Sequence, residues 1–346
     1  VTDPDRPRAL ALRALGLGDL LAGVPALRAV RRALPEHELS LAAPAVLQPL
    51  VELVEAVDRL VPSGELQPVP WSGPPPEVAV DLHGNGPASK EVLAALAPGD
   101  LVAFAGPGGP SSAGALVPGP AWDPEEHERV RWCRLVAWAW GGDHDPDDVR
   151  LRRPDLPPTR PGAVVVHPGA ASGSRRWWPE RFAEVAAALA ADGHEVLVTG
   201  SGSERPLAVA VAARAGLDPS AVLAGTTDLR ELAALVADAG LVVCGDTGAA
   251  HLASAYATPS VVLFGPTPPH RWGPPLGGPH TVLWHPAPGD PAGDPHGTSI
   301  DPALARVGVP EVIAAARALL GPGAAGLRRR GVRPGRVPRP STAGCD

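Results

Sequence analysis

The sequence predicts an α/β protein built from two doubly wound parallel-sheet units that face a central cleft. Three observations carry that expectation. The chain has 346 residues, more than the roughly 250–300 at which a single hydrophobic core usually stops growing. Apolar strand-like runs alternate with helix-like segments through both halves, the pattern of a parallel sheet covered by helices. Between the halves, residues 141–160 hold an acidic cluster and several prolines, the composition of a linker. The chain then divides into a unit at 1–158, with its linker from about 141, a unit at 159–322, and a tail at 323–346.

In the first half, ALALRAL at 9–15 reads as a strand, a Gly-Leu-Gly turn follows, and a helix runs over 19–34. ELSLAA at 38–43 is the next strand, 45–55 a helix, and 57–62 an apolar run. EVAVDL at 77–82 and LVAFAG at 101–106 are further strands, before a long helix at 124–139. After the linker the alternation restarts with strand 163–169, helix 180–191, strand 194–200, helix 204–215, a short apolar run at 221–225 and a helix at 228–239. Strand 241–244 enters a helical run over 245–255, and 260–264 is the last strong strand. Residues 279–300 read as a Pro/Gly-rich loop and 310–320 as a final helix. From 321 onward six arginines sit among Gly and Pro with no apolar face to bury, so the tail is expected to be disordered.

At 45% hydrophobic and 19% charged residues the chain is apolar enough to fold, and a net charge of −7 argues against nucleic acid as a partner. Cys133, Cys244 and Cys345 have neither CxxC spacing nor an even count. That points away from a disulfide framework or a zinc site and towards a reducing cytoplasm. The N-terminus lacks the apolar core of a signal peptide, and no uncharged apolar run reaches the roughly 20 residues that span a bilayer. A soluble cytoplasmic protein is expected, with peripheral contact at the inner face of a membrane left open.

The densest chemical signal is GDTGAAHLASA at 245–255. An apolar strand that stops at Gly-Asp-Thr-Gly and passes into an Ala-rich helix presents free N–H groups, with the helix dipole behind them, to an anion. Thr247, Gly248 and Ala249 would donate, His251 lies one turn inside, and Asp246 would cap the helix or hold a ligand hydroxyl. HPGAASGSRRWWPERF at 167–182 ends another strand of the same half. Its Arg175 and Arg176, beside a Gly/Ser loop, could neutralise an oligophosphate, while Pro179 and Glu180 are ordinary helix-start chemistry. Gly200, Ser201 and Glu204 in one strand-end loop, and Thr226 and Arg230 in another, could flank a nucleoside or serve only as turn and cap. GPTPPHRWGP at 265–274 is a stiff loop in which His270 or Arg271 could touch a ligand or merely shape the cleft wall.

In the first half, Gly18 and Asp19 sit at the first strand-to-helix turn. From spacing alone Asp19 reads as the N-cap of that helix. The spacing of Gly16, Gly18 and Gly23 is not GxGxxG, which disfavours NAD. DLHGNGPASK at 81–90 offers His83 and Asn85 to an acceptor, although a glycine-rich turn explains the segment as well. Asp143-His144-Asp145 matches a short DxD metal pattern, but it lies outside any strand end, in an acidic linker.

Taken together and in order, GLGDLLAGVPALRAVRRALP, DLHGNGPAS, VHPGAASGSRRWWPERFAEVA, TGSGSER, LRELAALVADAGLVVCGDTGAAHLASAYATPSVVLFGPT and HRWGP resemble one family. The chain is similar to glycosyltransferase family 9, the ADP-heptose:lipopolysaccharide heptosyltransferases and their relatives, from residue 13 to about 320. The resemblance implies a GT-B fold with two Rossmann-like domains, the first on the acceptor side and the second binding the sugar nucleotide. It implies Asp19 as general base, and Arg175, Arg176, Asp246, Thr247, Gly248, Ala249 and His251 on the donor diphosphate and adjoining sugar. Gly18, His83 and Asn85 then fall on the acceptor side, and Gly200, Ser201, Glu204, Thr226 and Arg230 on the nucleoside side. The implied reaction is inverting transfer from a nucleotide-diphospho sugar, ADP-linked, to a glycan or glycolipid hydroxyl, with no cofactor and no metal. Arg230 departs from an acidic residue common on the family's nucleoside-side helix, and Trp177 stands where a basic or polar residue is usual. A sugar-nucleotide epimerase and a binding protein without catalysis are the alternatives, and no motif specifies an oligomeric state.

Overall fold

The computed structural model describes residues 6–107, 116–291 and 293–321; the basic tail expected at 323–346 and Cys345 lie outside them. The first unit is built on five parallel strands, β1 (Arg8–Leu12), β2 (Glu38–Ala43), β3 (Arg59–Pro62), β4 (Val78–Asp81) and β5 (Asp100–Val102). Their order is β3-β2-β1-β4-β5. Helices α1 (Leu17–Ala33), α2 (Gln48–Val54) and α3 (Pro87–Ala94) make the connections. A short antiparallel ribbon, β6 (Gly106–Pro107) with β7 (Leu116–Val117), precedes α4 (Glu128–Trp140), which packs along α1.

The second unit repeats the plan with β8 (Val164–His167), β9 (Val196–Val198), β10 (Leu241–Gly245), β11 (Ser260–Leu263) and β12 (His280–Leu283), in the order β12-β11-β10-β8-β9. Around it lie α5 (Pro179–Ala191), α6 (Arg205–Arg214), α7 (Leu229–Asp238), α8 (Gly248–Ala255), the short α9 (Pro269–Trp272) and α10 (Pro302–Ala305), and α11 (Val309–Leu320). The central strands are apolar without alternation because helices cover both faces; β2 and β10 are buried at every residue. Helix α7 opens on a full capping box, in which Asp228 accepts the Glu231 N–H and the Glu231 carboxylate accepts the Asp228 N–H, each at 2.8 Å.

Several elements differ from expectation for local reasons. Residues 279–300 contain β12, an edge strand only half-buried along its length, whose signal is diluted by flanking Pro and Gly. The run at 221–225 forms no strand beyond one bridge between Val222 and Val198. The strand expected over 101–106 ends at Val102; the segment 81–90 is, as expected, a strand-to-helix turn, from the end of β4 at Asp81 to α3, with Pro87 at its start. The helix expected over 45–55 opens with a separate tight turn at Ala45–Leu47.

In both sheets the chain reverses direction of growth beside the first strand, between β1 and β4 in one and between β8 and β10 in the other. Such switch points open a crevice at the carboxyl ends of the strands, where ligands of α/β proteins bind. The two units also share apolar contacts: one continuous buried cluster includes Leu20 and Leu27 of α1 together with Leu252 and Ala253 of α8. The linker adds two backbone straps, Arg152 N–H to the Leu53 carbonyl at 3.0 Å and Leu151 N–H to the Ala255 carbonyl at 3.3 Å.

Candidate active site

Each switch point presents a helix start, and the two starts meet. Helix α1 begins at Leu17 with Gly16 as N-cap, two residues earlier than expected, so Asp19 is the third helical residue and not the cap. Its Oδ2 accepts the Gly16 N–H at 3.2 Å. Opposite, α8 begins at Gly248 behind an extended Thr247 that makes no side-chain cap, which leaves the first-turn N–H groups without intrahelical acceptors. Asp246 therefore is not the cap either; it is buried at the strand end, its N–H bonded to the Leu263 carbonyl at 3.1 Å. A Cβ at Gly248 would lie 2.5 Å from Leu17 Cδ2, and one at Gly18 would lie 3.1 Å from His251 Cδ2. Glycine at both positions lets the two helix starts touch.

This junction gathers ionisable groups from both units. Burial raises the Asp19 carboxyl above its ordinary range, the Arg13 guanidinium pulls it back, and the charge of Glu128 adds to the rise. Burial also pushes Asp246 up to about 6, against Arg175 and with a contribution from the charge of Asp19. His251 is pushed down to about 3 by burial and by Arg129, and stays neutral at physiological pH. Its ring meets Trp272 edge to face at 5.9 Å. His127, which caps α4 by accepting the Arg129 N–H, is pushed down to about 4, mainly by burial.

Because β8 and β10 are neighbours, the loop carrying Arg175 and Arg176 stands next to the Asp-Thr-Gly turn. Arg175 Nε donates to Ser172 Oγ at 3.2 Å and its charge acts on Asp246 and His251. Arg176 Nε donates to the Ala170 carbonyl at 2.8 Å. A cavity of about 400 Å³ opens beside the two arginines, and residues 296–298 form its far wall. Sequence reasoning missed this wall, since it lies in a Pro/Gly-rich segment without a motif. Trp177, by contrast, is core: it is buried, donates to the Val307 carbonyl at 3.2 Å and meets Phe182 at 5.1 Å.

Among the residues expected to flank a nucleoside, Glu204 accepts both the N–H and the hydroxyl of Ser201 at 2.8 Å. Burial opposes its ionisation, but those bonds and the charges of His167 and Arg176 hold it below the usual carboxylate range. Gly200 packs against Glu204 and Ala224, and Thr226 Oγ1 donates to the Leu223 carbonyl at 2.9 Å. Arg230 is drawn elsewhere: it pairs with Glu52 of the first unit. His270 and Arg271 likewise face Glu125 across the unit boundary, at 3.1 and 3.9 Å.

Among the residues expected on an acceptor side, the His83 backbone N–H donates to Asp81 Oδ1 at 3.0 Å. The imidazole is held neutral by burial and Arg13, and its buried Nδ1 has no partner among the described residues. Asn85 receives Lys90 Nζ on its backbone and side-chain oxygens at 3.3 and 3.4 Å. In the linker, His144 Nε2 meets the Gly141 carbonyl and Asp145 accepts the Asp147 N–H. Among the described residues, no group of three His, Cys, Asp or Glu side chains gathers to hold a metal.

Residues 124–291, spanning α4 to the last strand of the second sheet, match the model of glycosyltransferase family 9 (heptosyltransferase). Over that stretch the chain is similar to the glycosyltransferases of family 9. A search of the curated proteins gives no match. Solved structures similar to this chain include a family 9 glycosyl transferase from Veillonella parvula DSM 2008, with TM-score 0.68 and 17% identity over 92% of this chain and 98% of that one. The ADP-heptose LPS heptosyltransferase II of E. coli superposes with TM-score 0.65 and 19% identity, over 90% and 98% of the two chains. The E. coli heptosyltransferase WaaC, solved with ADP, does so with TM-score 0.62 and 20% identity, over 81% and 93%. At these identities the likeness concerns the fold, which is GT-B: two parallel-sheet α/β domains facing one cleft.

Proposed function

We propose that this protein is a family 9 glycosyltransferase that moves a heptose-like sugar from an ADP-linked nucleotide-diphospho sugar to a hydroxyl of a glycan or glycolipid, inverting the anomeric centre without a metal. The observation that carries the reading is the junction of α1 and α8, which sets the Asp19 carboxylate against the Asp-Thr-Gly turn and its arginine-bearing neighbour loop. The ADP-binding of the E. coli WaaC structure supports the choice of nucleotide. A cytoplasmic location, at the inner face of the membrane for a glycolipid acceptor, goes with this reading; among the described residues no helix is long and apolar enough to cross a membrane.

Asp19 accepts the proton of the acceptor hydroxyl as its oxygen attacks the anomeric carbon. The bond from that carbon to the diphosphate oxygen breaks on the opposite face. A carboxylate, with an ordinary pKa of about 3.9, is too weak to ionise a sugar hydroxyl beforehand, so proton transfer accompanies attack. The raised pKa of Asp19 improves it for that task. His83, neutral and with a buried unpartnered nitrogen, orients the acceptor hydroxyl from the neighbouring strand end. Charge growing on the departing diphosphate meets Arg175, Arg176 and the N–H groups at Thr247, Gly248 and Ala249, the stabilisation a metal supplies elsewhere. Asp246 holds a hydroxyl of the donor sugar, and Gly200, Ser201, Glu204 and Thr226 border the nucleoside.

The test is transfer from ADP-sugars by wild type and Asp19→Asn, with the anomer of the product determined by NMR. A loss of turnover of about 10²-fold or more in the variant, with donor affinity retained, is expected for a general base. Equal turnover would remove Asp19 from that role, and a product of retained configuration would remove inversion. Turnover should also persist in excess EDTA; dependence on an added divalent cation would overturn the metal-free reading.

A further inference from the structure

Glu128, at the first position of α4, is buried and collects three donors: Arg13 Nη2 at 3.0 Å, Arg131 Nη1 at 2.7 Å and Trp132 Nε1 at 2.7 Å. Arg13, just beyond β1, is also buried, and besides Glu128 it donates to the carbonyls of Asp19 and Leu82. The nitrogen it gives to Glu128 lies 3.9 Å from Asp19 Oδ1. One guanidinium nitrogen thus stands between two carboxylates, bonded to one and held at a distance from the other. Its stem is confined, with the Trp132 ring centre 5.1 Å from the guanidinium carbon and a Cβ at Gly23 only 2.8 Å from Arg13 Cδ, so the motion left to it is a short shift of the terminal nitrogens between the two carboxylates.

We infer that Glu128 is a positioning residue for Asp19, acting through Arg13 by holding the guanidinium off the carboxylate that takes the proton. The inference rests on Asp19 being the base. A carboxylate in direct contact with an arginine becomes a weaker base, because the cation favours its charged form. Arg13 bonded to Glu128 is already matched by a charge, and Asp19 keeps the basicity that burial confers. The other charged or titratable groups around Asp19 are His83 from the loop after β4 and Asp246 from the end of β10, whose ionisation its charge affects, and His251 from α8, which packs on the neighbouring Gly18 and is itself acted on by Arg129, His127, Arg13 and Arg175.

The experiment is the pH profile of kcat/KM for full-length wild type, Asp19→Asn, Glu128→Gln and Arg131→Gln, each first checked for folding by its thermal shift with ADP. Activity rises with pH as Asp19 ionises. In Glu128→Gln, Arg13 is free to turn to Asp19, and the acid limb should move down by about half to one pH unit, with the plateau reduced roughly tenfold. In Arg131→Gln, Glu128 is less neutralised and the limb should move up. Lower activity with an unmoved limb in either folded variant would overturn the inference and leave Glu128 a structural residue. Full activity in Asp19→Asn would instead remove the base reading itself, so the two failures are told apart.

Discussion

At the scale of single residues, burial dominates the electrostatics of this molecule, and it does so beyond the junction. Asp81, at the end of β4, is pushed up to about 6 by burial, although the hydroxyl of Ser89 and the N–H of His83 donate to it. The unfolded chain ionises near 3.8, so between that pH and about 6 the folded state holds a proton that the unfolded state has lost. Stability drawn from this site therefore falls as pH rises through that window and stays low above it. Asp81→Asn, which keeps an acceptor for His83 and does not titrate, should unfold at a higher temperature than wild type at pH 7. We expect about 1–2 kcal/mol of gain, vanishing below pH 4, as read by thermal melts across pH. Residue-level legibility followed the same divide. Asp19 in the first turn of α1, and Arg175 and Arg176 after β8, lie in recognisable motifs at strand ends, whereas Arg13 and Glu128 are 115 positions apart and meet only in the fold.

At the scale of elements, two glycines permit the close approach of α1 and α8, where a Cβ at Gly248 would lie 2.5 Å from Leu17 Cδ2 and one at Gly18 3.1 Å from His251 Cδ2. Gly248→Ala would place a methyl group against Leu17, forcing the helix starts apart. Overpacking of this kind costs about 1–3 kcal/mol, and the melting temperature should drop accordingly. Turnover should fall more than ADP affinity if Asp19 is the base, because the change separates Asp19 from the proposed donor site without removing a contact to the donor. Loss of melting temperature with unchanged turnover would separate the contact from catalysis. The helices and central strands were readable because their patterns are local: apolar runs for strands covered on both faces, and Pro or capping residues at helix starts. The edge strand β12 escaped because its residues are only half-buried and its neighbours are Pro and Gly. The helix start at Leu17 was misplaced because a carboxylate in the first turn serves a helix at the third position as well as at the cap.

At the scale of the whole molecule, the cleft is bordered by ties between the units. Arg129 Nη1 and His127 Nε2 meet the Gly273 carbonyl at 2.7 and 3.0 Å, Glu125 faces His270, and Arg230 pairs with Glu52. The Arg230 pair is half-exposed, so Arg230→Ala should change stability by less than about 1 kcal/mol. ADP affinity, measured by calorimetry, should stay within about threefold of wild type if Arg230 serves the unit boundary. A loss of ten times or more would return Arg230 to the nucleoside site.

The sequence by itself determines two runs of strand and helix, the glycine-rich strand ends proposed to meet the donor diphosphate, and the order of motifs similar to those of family 9. These are properties of neighbouring residues, set by backbone sterics and by periodic burial. Only the tertiary structure decides that Asp19 stands against the Asp-Thr-Gly turn, that Arg230 turns to Glu52 and that Glu128 holds Arg13. Those outcomes depend on which strand ends share a switch point and on charges brought together from distant parts of the chain. No local pattern encodes the burial that then shifts them.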